Sequence, residues 1–117
     1  MKKTDEKTTI HDLKDLVENF IHDRDWEQFH SPKNLAMALA IEAAELMDIF
    51  KWQSSEIAWD SINEPEVRQK SEDELADILV YALAFANRHK IDVSSAIRSK
   101  MLKNGEKYPS EKFKGRY

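Results

Sequence analysis

The stretch Leu35–Phe50, LAMALAIEAAELMDIF, decides how this sequence is interpreted. Its only polar side chains are the carboxylates Glu42, Glu45 and Asp48, and it contains no glycine, proline, lysine or arginine. Such a composition favours a helix, and a helix that is apolar nearly all round is expected to be buried nearly all round. The presence of three ionisable carboxylates in such an apolar helix therefore needs an explanation.

The rest of the chain also predicts helices. Glycine occurs only at positions 105 and 115, and no segment shows β-branched residues alternating at period two. We predict an all-α fold with helices at Ile10–Arg24, at Pro32 to about Trp52, from Glu64-Pro65 to about His89, and from Asp92 to Asn104-Gly105. The predicted N-caps include Thr8 or Thr9, Ser31 and Asp92. The connector Gln53–Asn63 has no predicted shape, and Glu106–Tyr117 is predicted to be irregular.

Length and composition limit the possible functions. A chain of 117 residues fits one domain over 1–117, in which 1–9 and 110–117 are predicted to be flexible. The net charge of -4 argues against nucleic acid as a partner. There is no cysteine, and the longest apolar runs are shorter than the roughly 20 residues of a membrane span. Met1–Thr9 lacks the apolar stretch of a signal peptide, so a cytoplasmic location without a membrane partner is expected.

Two pairs of acids share one arrangement. Glu42 and Glu45 are three residues apart, and so are Glu74 and Asp77, which precede the apolar run Ile78–Ala86. Residues at this spacing lie on the same face of a helix. Burial and mutual repulsion both oppose their ionisation, so the acids must be protonated, paired with bases or bound to a cation. Two facing carboxylate pairs offer only oxygen ligands, which suit Mg²⁺.

The acids are also compatible with a protein that binds no metal. One Glu-x-x-Glu on a helix is most often a solvated face, and the case for a metal rests on two pairs in apolar surroundings. The chain could also be a non-catalytic helical oligomer or interaction module whose acidic face binds a basic partner.

Aromatic and basic residues suggest a ligand. Trp26, Phe29 and His30 precede the second helix, Trp52 ends it, and Tyr81 lies one turn after Asp77. A nucleobase can stack on such rings, although a single aromatic residue is more often part of a core or an interface. Lysines in the C-terminal region could meet a polyphosphate or could form a solvated face.

These motifs together resemble a known family. They are Arg24-Asp-Trp-Glu-Gln-Phe-His30, Pro32-x-Asn34-Leu, Glu42-x-x-Glu45, Phe50-x-Trp52, Glu74-Leu-x-Asp77-x-Leu-x-Tyr81 and Ser99-Lys-Met101-x-x-Asn104-x-x-Lys-Tyr-Pro109. In this order they resemble the all-α nucleotide pyrophosphohydrolases, and most closely the MazG-like dCTP pyrophosphatase branch. Two positions depart from the family pattern: Ile41 stands where many members have a second glutamate, and Val17 where a close relative would have a histidine.

The resemblance implies a four-helix MazG-like bundle completed by oligomerisation, as a homo-oligomer built as a dimer of dimers. It implies hydrolysis of a nucleoside triphosphate, such as dCTP or a related dNTP, to the monophosphate and pyrophosphate with Mg²⁺ as cofactor. The implied metal-binding and catalytic residues are Glu42, Glu45, Glu74 and Asp77, with Glu45 as our candidate for the general base. The implied substrate-binding residues are Trp26, Glu27, Gln28, Phe29, His30, Trp52, Tyr81, Lys100 and Asn104.

Overall fold

The computed structural model describes residues 3–116 of the chain, and within that range all of the regular secondary structure is helical, with no strand. The helices are α1 (Ile10–Asp23), α2 (Pro32–Phe50), α3 (Ser55–Ser61), α4 (Pro65–Arg88), α5 (Val93–Lys107) and α6 (Ser110–Phe113), with 3-10 turns at Asp5–Lys7 and Glu27–Phe29. The predicted all-α class is confirmed. None of the helices in residues 3–116 combines the length and apolar character needed to cross a membrane. Met1, Lys2 and Tyr117, which belong to the segments predicted to be flexible, lie outside the described residues.

The predicted helix starts are confirmed. The Thr9 hydroxyl accepts a hydrogen bond from the Asp12 backbone N–H at 3.0 Å, and the Asp12 carboxylate accepts from the Thr9 N–H at 3.0 Å. Ser31 caps α2 with Pro32 at the first helical position, and Asp92 caps α5. Each cap satisfies a backbone donor that the helix leaves free and typically contributes about 1 kcal/mol.

One predicted helix end was wrong, and two segments contain helices that were not predicted. The helix expected to stop at Asn104-Gly105 continues through Gly105 to Lys107. Proline disfavours the helical conformation of the residue before it, so Pro109 explains why the helix ends at Lys107, before Tyr108, better than the glycine does. The connector Gln53–Asn63 contains α3, and the tail expected to be irregular contains the end of α5 and the short α6.

The packing is centred on α4. The most extensive helix contact joins α2 to α4, and α1 also packs against α4. The small core contains Val17, Ile21, Leu35, Leu83 and Ala84, with Tyr81, Phe85 and Val93 partly buried against it. Hydrogen bonds from Lys14 Nζ to the Ile91 carbonyl and from Asn87 Nδ2 to the Lys14 carbonyl, both 2.9 Å, also attach α1 to the end of α4 and the turn that follows.

The chain is open and leaves much apolar surface exposed. Its accessible surface is 9841 Å², whereas a compact monomer of this size would expose about 6,600 Å². Its radius of gyration is 17.1 Å, against about 13 Å for a compact domain of this length. The expectation that α2 is buried nearly all round was wrong within one chain, because only Leu35 is fully buried and Met37, Ile41 and Met47 are exposed.

Candidate metal centre and adjoining cavity

Three of the predicted acids come together where α2 packs on α4. Glu42 and Glu45 lie on one face of α2 because they are three residues apart, and Glu74 lies on α4. One carboxylate oxygen from each of these three residues lies within 4.8 Å of the other two. Asp77 is not part of this close group, although it lines the adjoining cavity beside Glu42.

The carboxylates of this cluster repel one another when they are ionised. Burial raises the pKa of the Glu42 carboxyl from 4.5 to about 7, and the neighbouring carboxyls of Glu45, Glu74 and Asp77 act in the same direction. Burial is also the largest cause of the raised pKa of Glu74, followed by the nearby Glu45. A proton or a cation would therefore stabilise the cluster.

The cluster suits a hard cation. Glu42 Oε2 and Glu74 Oε2 are buried and have no hydrogen-bond partner, and no ion pair found among residues 3–116 includes an acid of the cluster. All the ligand atoms are carboxylate oxygens, which Mg²⁺ prefers. Unpartnered buried oxygens are costly unless something binds them, so the residues present fit a divalent metal.

A cavity of about 580 Å³ adjoins the acids. It is large enough for a small-molecule ligand. Its lining residues are Leu16, Val17, Phe20, Ile21, Trp26, His30, Glu42, Asp77, Val80, Tyr81 and Ala84. The polar lining side chains are Trp26, His30, Glu42, Asp77 and Tyr81, all of which the sequence singled out, and the rest are apolar residues of α1 and α4. The cavity is therefore largely apolar, with two carboxylates among its lining groups.

The loop between α1 and α2 places Trp26 and His30 at this cavity. Asp25 has a positive φ of 53°, and the Trp26 N–H donates to the Ile21 carbonyl at 3.1 Å, so the chain folds back at the end of α1. Asn34 Nδ2 donates to the Phe29 carbonyl at 2.9 Å and attaches the loop to the first turn of α2. These bonds fix the loop on both sides.

Three predicted substrate-binding residues of this loop do not line the cavity. The Gln28 amide donates to the Asp25 carbonyl at 3.0 Å, and a Glu27 carboxylate oxygen lies 3.4 Å from His22 Nδ1. Phe29 is exposed. The structure therefore places Glu27 and Gln28 in the internal bonding of the loop, and their role toward a substrate stays a prediction.

Trp52, Lys100 and Asn104 also lie away from the cavity of the same chain. Trp52 follows the end of α2 and is 89% exposed, so it does not face Trp26 across the cavity. Lys100 is exposed on α5, and the Asn104 side chain lies 3.6 Å from the Met101 sulfur. Because α5 makes only slight contact with the other helices, neither Lys100 nor Asn104 joins the site within one chain.

Sequence reasoning missed the apolar wall of the cavity. Leu16, Val17, Phe20 and Ile21 form an apolar stripe on α1, but only Val17 and Ile21 are buried in the core. A stripe wider than one neighbouring helix can cover is the signal that could have indicated a cavity. Arg24, which lies over the Phe20 ring, was also missed, although the spacing of four residues permits that contact.

Comparison with known proteins gives consistent matches. The model of the MazG-like family matches residues 37–116. The chain is 40% identical over 101 residues to dCTP pyrophosphatase 1 from Rattus norvegicus, a match that covers 86% of this chain and 59% of the relative. For dCTP pyrophosphatase 1 from Homo sapiens the identity is 38% over 102 residues, covering 87% of this chain and 60% of the relative. The chain thus spans somewhat less than two thirds of the length of these curated relatives.

A solved structure is also similar. The crystal structure of a pyrophosphatase from Archaeoglobus fulgidus superimposes with a TM-score of 0.79 at 37% sequence identity. The match covers 86% of this chain and 92% of that one. The resemblance drawn from the motifs is therefore confirmed at the level of the whole fold.

Proposed function

Because this chain belongs to the MazG-like family, we propose that it is a metal-dependent nucleoside triphosphate pyrophosphohydrolase. The proposed reaction hydrolyses dCTP or a related dNTP to the monophosphate and pyrophosphate, as part of the removal of unwanted nucleotides. The names of the relatives support the substrate class. The observation that carries the proposal is the cluster of three carboxylates beside a largely apolar cavity with Trp26 and Tyr81 in its lining.

In this proposal, Glu42, Glu45 and Glu74 hold Mg²⁺, and Asp77 completes the set at the cavity. A bound Mg²⁺ would offset the charge of the phosphates and lower the pKa of a water molecule. Glu45 is exposed, unlike Glu42 and Glu74, and its carboxylate is the one we assign to accept the proton of the attacking water. Positioning of the phosphate chain against the acids then does most of the remaining catalytic work.

The nucleoside is proposed to occupy the cavity of about 580 Å³. Its base would stack on Trp26, and the Tyr81 ring would form a second wall. Glu42 and Asp77 line the same cavity, so a nucleotide with its base on the apolar wall of α1 can direct its phosphates toward the acids. His30 is placed to donate a hydrogen bond to the base or to a phosphate.

We also propose that the chain works as a homo-oligomer, a dimer of dimers in the cytoplasm. The surface exposed beyond that of a compact monomer is roughly 3,000 Å², which is the size of an obligate interface. No lysine or arginine among residues 3–116 lines the cavity, although a triphosphate attracts cations. Trp52, Lys100 and Asn104, which lie away from the cavity of their own chain, could reach a substrate in an assembly of several copies.

The test is a panel of dNTPs and NTPs with Mg²⁺, in which pyrophosphate and monophosphate are both measured. We expect dCTP or a related dNTP to be hydrolysed, and Glu45→Gln and Asp77→Asn to lower the rate at least about 100-fold, since each removes a charge from the site. Glu66→Gln is the matched control, because Glu66 is an exposed acid of α4 that pairs with Lys70. Near-wild-type rates in both site variants would refute the assignment, and no pyrophosphate from any nucleotide would favour the non-catalytic interaction module.

A further inference from the structure

The backbone of Trp26 is held by hydrogen bonds, but its side chain is partly exposed. The positive φ of Asp25 is unusual for a residue other than glycine, and aspartate is one of the few that adopt it. Gln28 Nε2 holds that turn by donating to the Asp25 carbonyl at 3.0 Å. These bonds set where the Trp26 side chain starts, not the direction in which the indole ring points.

Among the described residues 3–116, the indole ring packs against one other aromatic ring. Phe20 contacts it edge to face, with ring centroids 5.7 Å apart and an interplanar angle of 76°. Both residues line the cavity, and both are only partly covered: Phe20 is 48% exposed and Trp26 is 42% exposed. An aromatic ring this exposed is free to change rotamer, so a group that restrains Phe20 can also influence the direction of Trp26.

Arg24 holds Phe20. The central guanidinium carbon of Arg24 lies 3.6 Å from the centroid of the Phe20 ring, and Arg24 Nη1 donates to the Phe20 carbonyl at 3.0 Å. The hydrogen bond fixes the guanidinium plane, and the plane covers one face of the ring. Arg24 itself does not line the cavity.

We propose that Arg24 is a positioning residue of the nucleotide site, which acts through Phe20 to keep the indole of Trp26 in the orientation that receives the base. This proposal rests on the proposed function for its effect on nucleotide affinity. Its structural content, that Arg24 sets the surroundings of Trp26, can be measured without any substrate.

A direct electrostatic role of Arg24 predicts different behaviour. If its charge attracted the triphosphate, lysine would replace it well and the effect would not depend on Phe20. If it acts by stacking, lysine replaces it poorly, because an ammonium group has no plane to lay on the ring. The matched control is Arg68→Ala, which removes the same charge from an exposed arginine paired with Glu72 on α4.

The kinetic arm measures KM and kcat for dCTP in the full-length protein. For Arg24→Ala we expect KM to rise about three-fold with kcat nearly unchanged, the size of an exposed cation–π contact. Arg24→Lys should show most of the same rise, and Arg68→Ala none. In a Phe20→Leu background, Arg24→Ala should have no further effect on KM. An equal rise in that background, or full rescue by lysine, would overturn the positioning role in favour of direct attraction.

The spectroscopic arm uses protein labelled with 5-fluorotryptophan. The chain has three tryptophans, and Trp26→Phe identifies the fluorine resonance of Trp26. Arg24→Ala should move that resonance and leave those of Trp52 and Trp59 in place, whereas Arg68→Ala should move none. An unmoved Trp26 resonance overturns the proposal. If the wild type hydrolyses no nucleotide, the proposed function fails, and the fluorine resonance still decides whether Arg24 positions Trp26.

Discussion

Replacing Glu42 by glutamine should stabilise the metal-free protein at neutral and higher pH while it abolishes activity. Burial and the nearby acids raise the pKa of Glu42 from 4.5 to about 7 in the folded chain. A group whose pKa is raised on folding contributes stability that is fully present below the unfolded pKa and is lost as the pH rises through the folded pKa. The folded state should therefore lose stability between about pH 4.5 and pH 7 as Glu42 ionises.

The size of the effect follows from the same shift. A pKa moved from 4.5 to about 7 corresponds to about 3 kcal/mol if it is taken in full. Glu42 keeps some contact with solvent, so screening reduces this to about 1 kcal/mol. Glutamine has nearly the same shape and no charge, so Glu42→Gln should remove this loss.

The assay is urea unfolding in a chelator at pH 5 and pH 8, at one fixed protein concentration. Glu42→Gln should raise the unfolding free energy at pH 8 by about 1 kcal/mol and make the difference between the two pH values smaller. Glu66→Gln is again the control, since its carboxylate is exposed and lies outside the cluster. A Glu42→Gln protein less stable than wild type at pH 8 would refute the idea that the cluster is electrostatically strained without metal.

Three further predictions concern the core, the cavity and the surface. Leu35→Ala should lower the unfolding free energy by about 3 kcal/mol in chemical denaturation, because Leu35 is 1% exposed and its loss leaves a cavity; a change under about 1 kcal/mol would contradict its place at the centre of the core. Trp26→Ala should raise KM for the preferred nucleotide about ten-fold with little effect on the melting temperature, and an unchanged KM would remove Trp26 from the base site. Met101→Glu, which puts a charge on α5 at a position 60% exposed in one chain, should reduce the mass measured by light scattering, and an unchanged mass would show that this face of α5 is not an interface.

Local signals in the sequence were sufficient to predict that Glu42 and Glu45 share a helix face and where the helices begin. Glu42 and Glu45 share a face because of their spacing alone, and the caps at Thr9, Ser31 and Asp92 need only the hydrogen bonds of neighbouring residues. That Glu74 reaches the same point depends on the packing of α2 on α4. The matching arrangement of acids in two apolar helices is the pattern in the sequence that indicates this packing.

Features that depend on competition between local signals or on tertiary contacts were predicted less well. Gly105 is a common helix end, but here the helix continues to Lys107, and the end is better explained by Pro109. The contact of Arg24 with Phe20 requires particular rotamers, which spacing permits but does not require. Trp52 and Lys100 are exposed and lie away from the cavity of their own chain, and no pattern in the sequence indicated this separation.

Because a single chain leaves much apolar surface exposed, the stability of the protein is expected to depend on its concentration. A helix such as α5, which has only slight contacts within its own chain, gains little from folding alone. If copies of the chain cover each other's apolar faces, folding and association are one equilibrium, and its midpoint moves with the amount of protein present. The specific activity of such a protein falls when it is diluted and recovers when it is concentrated, so abundance itself regulates it.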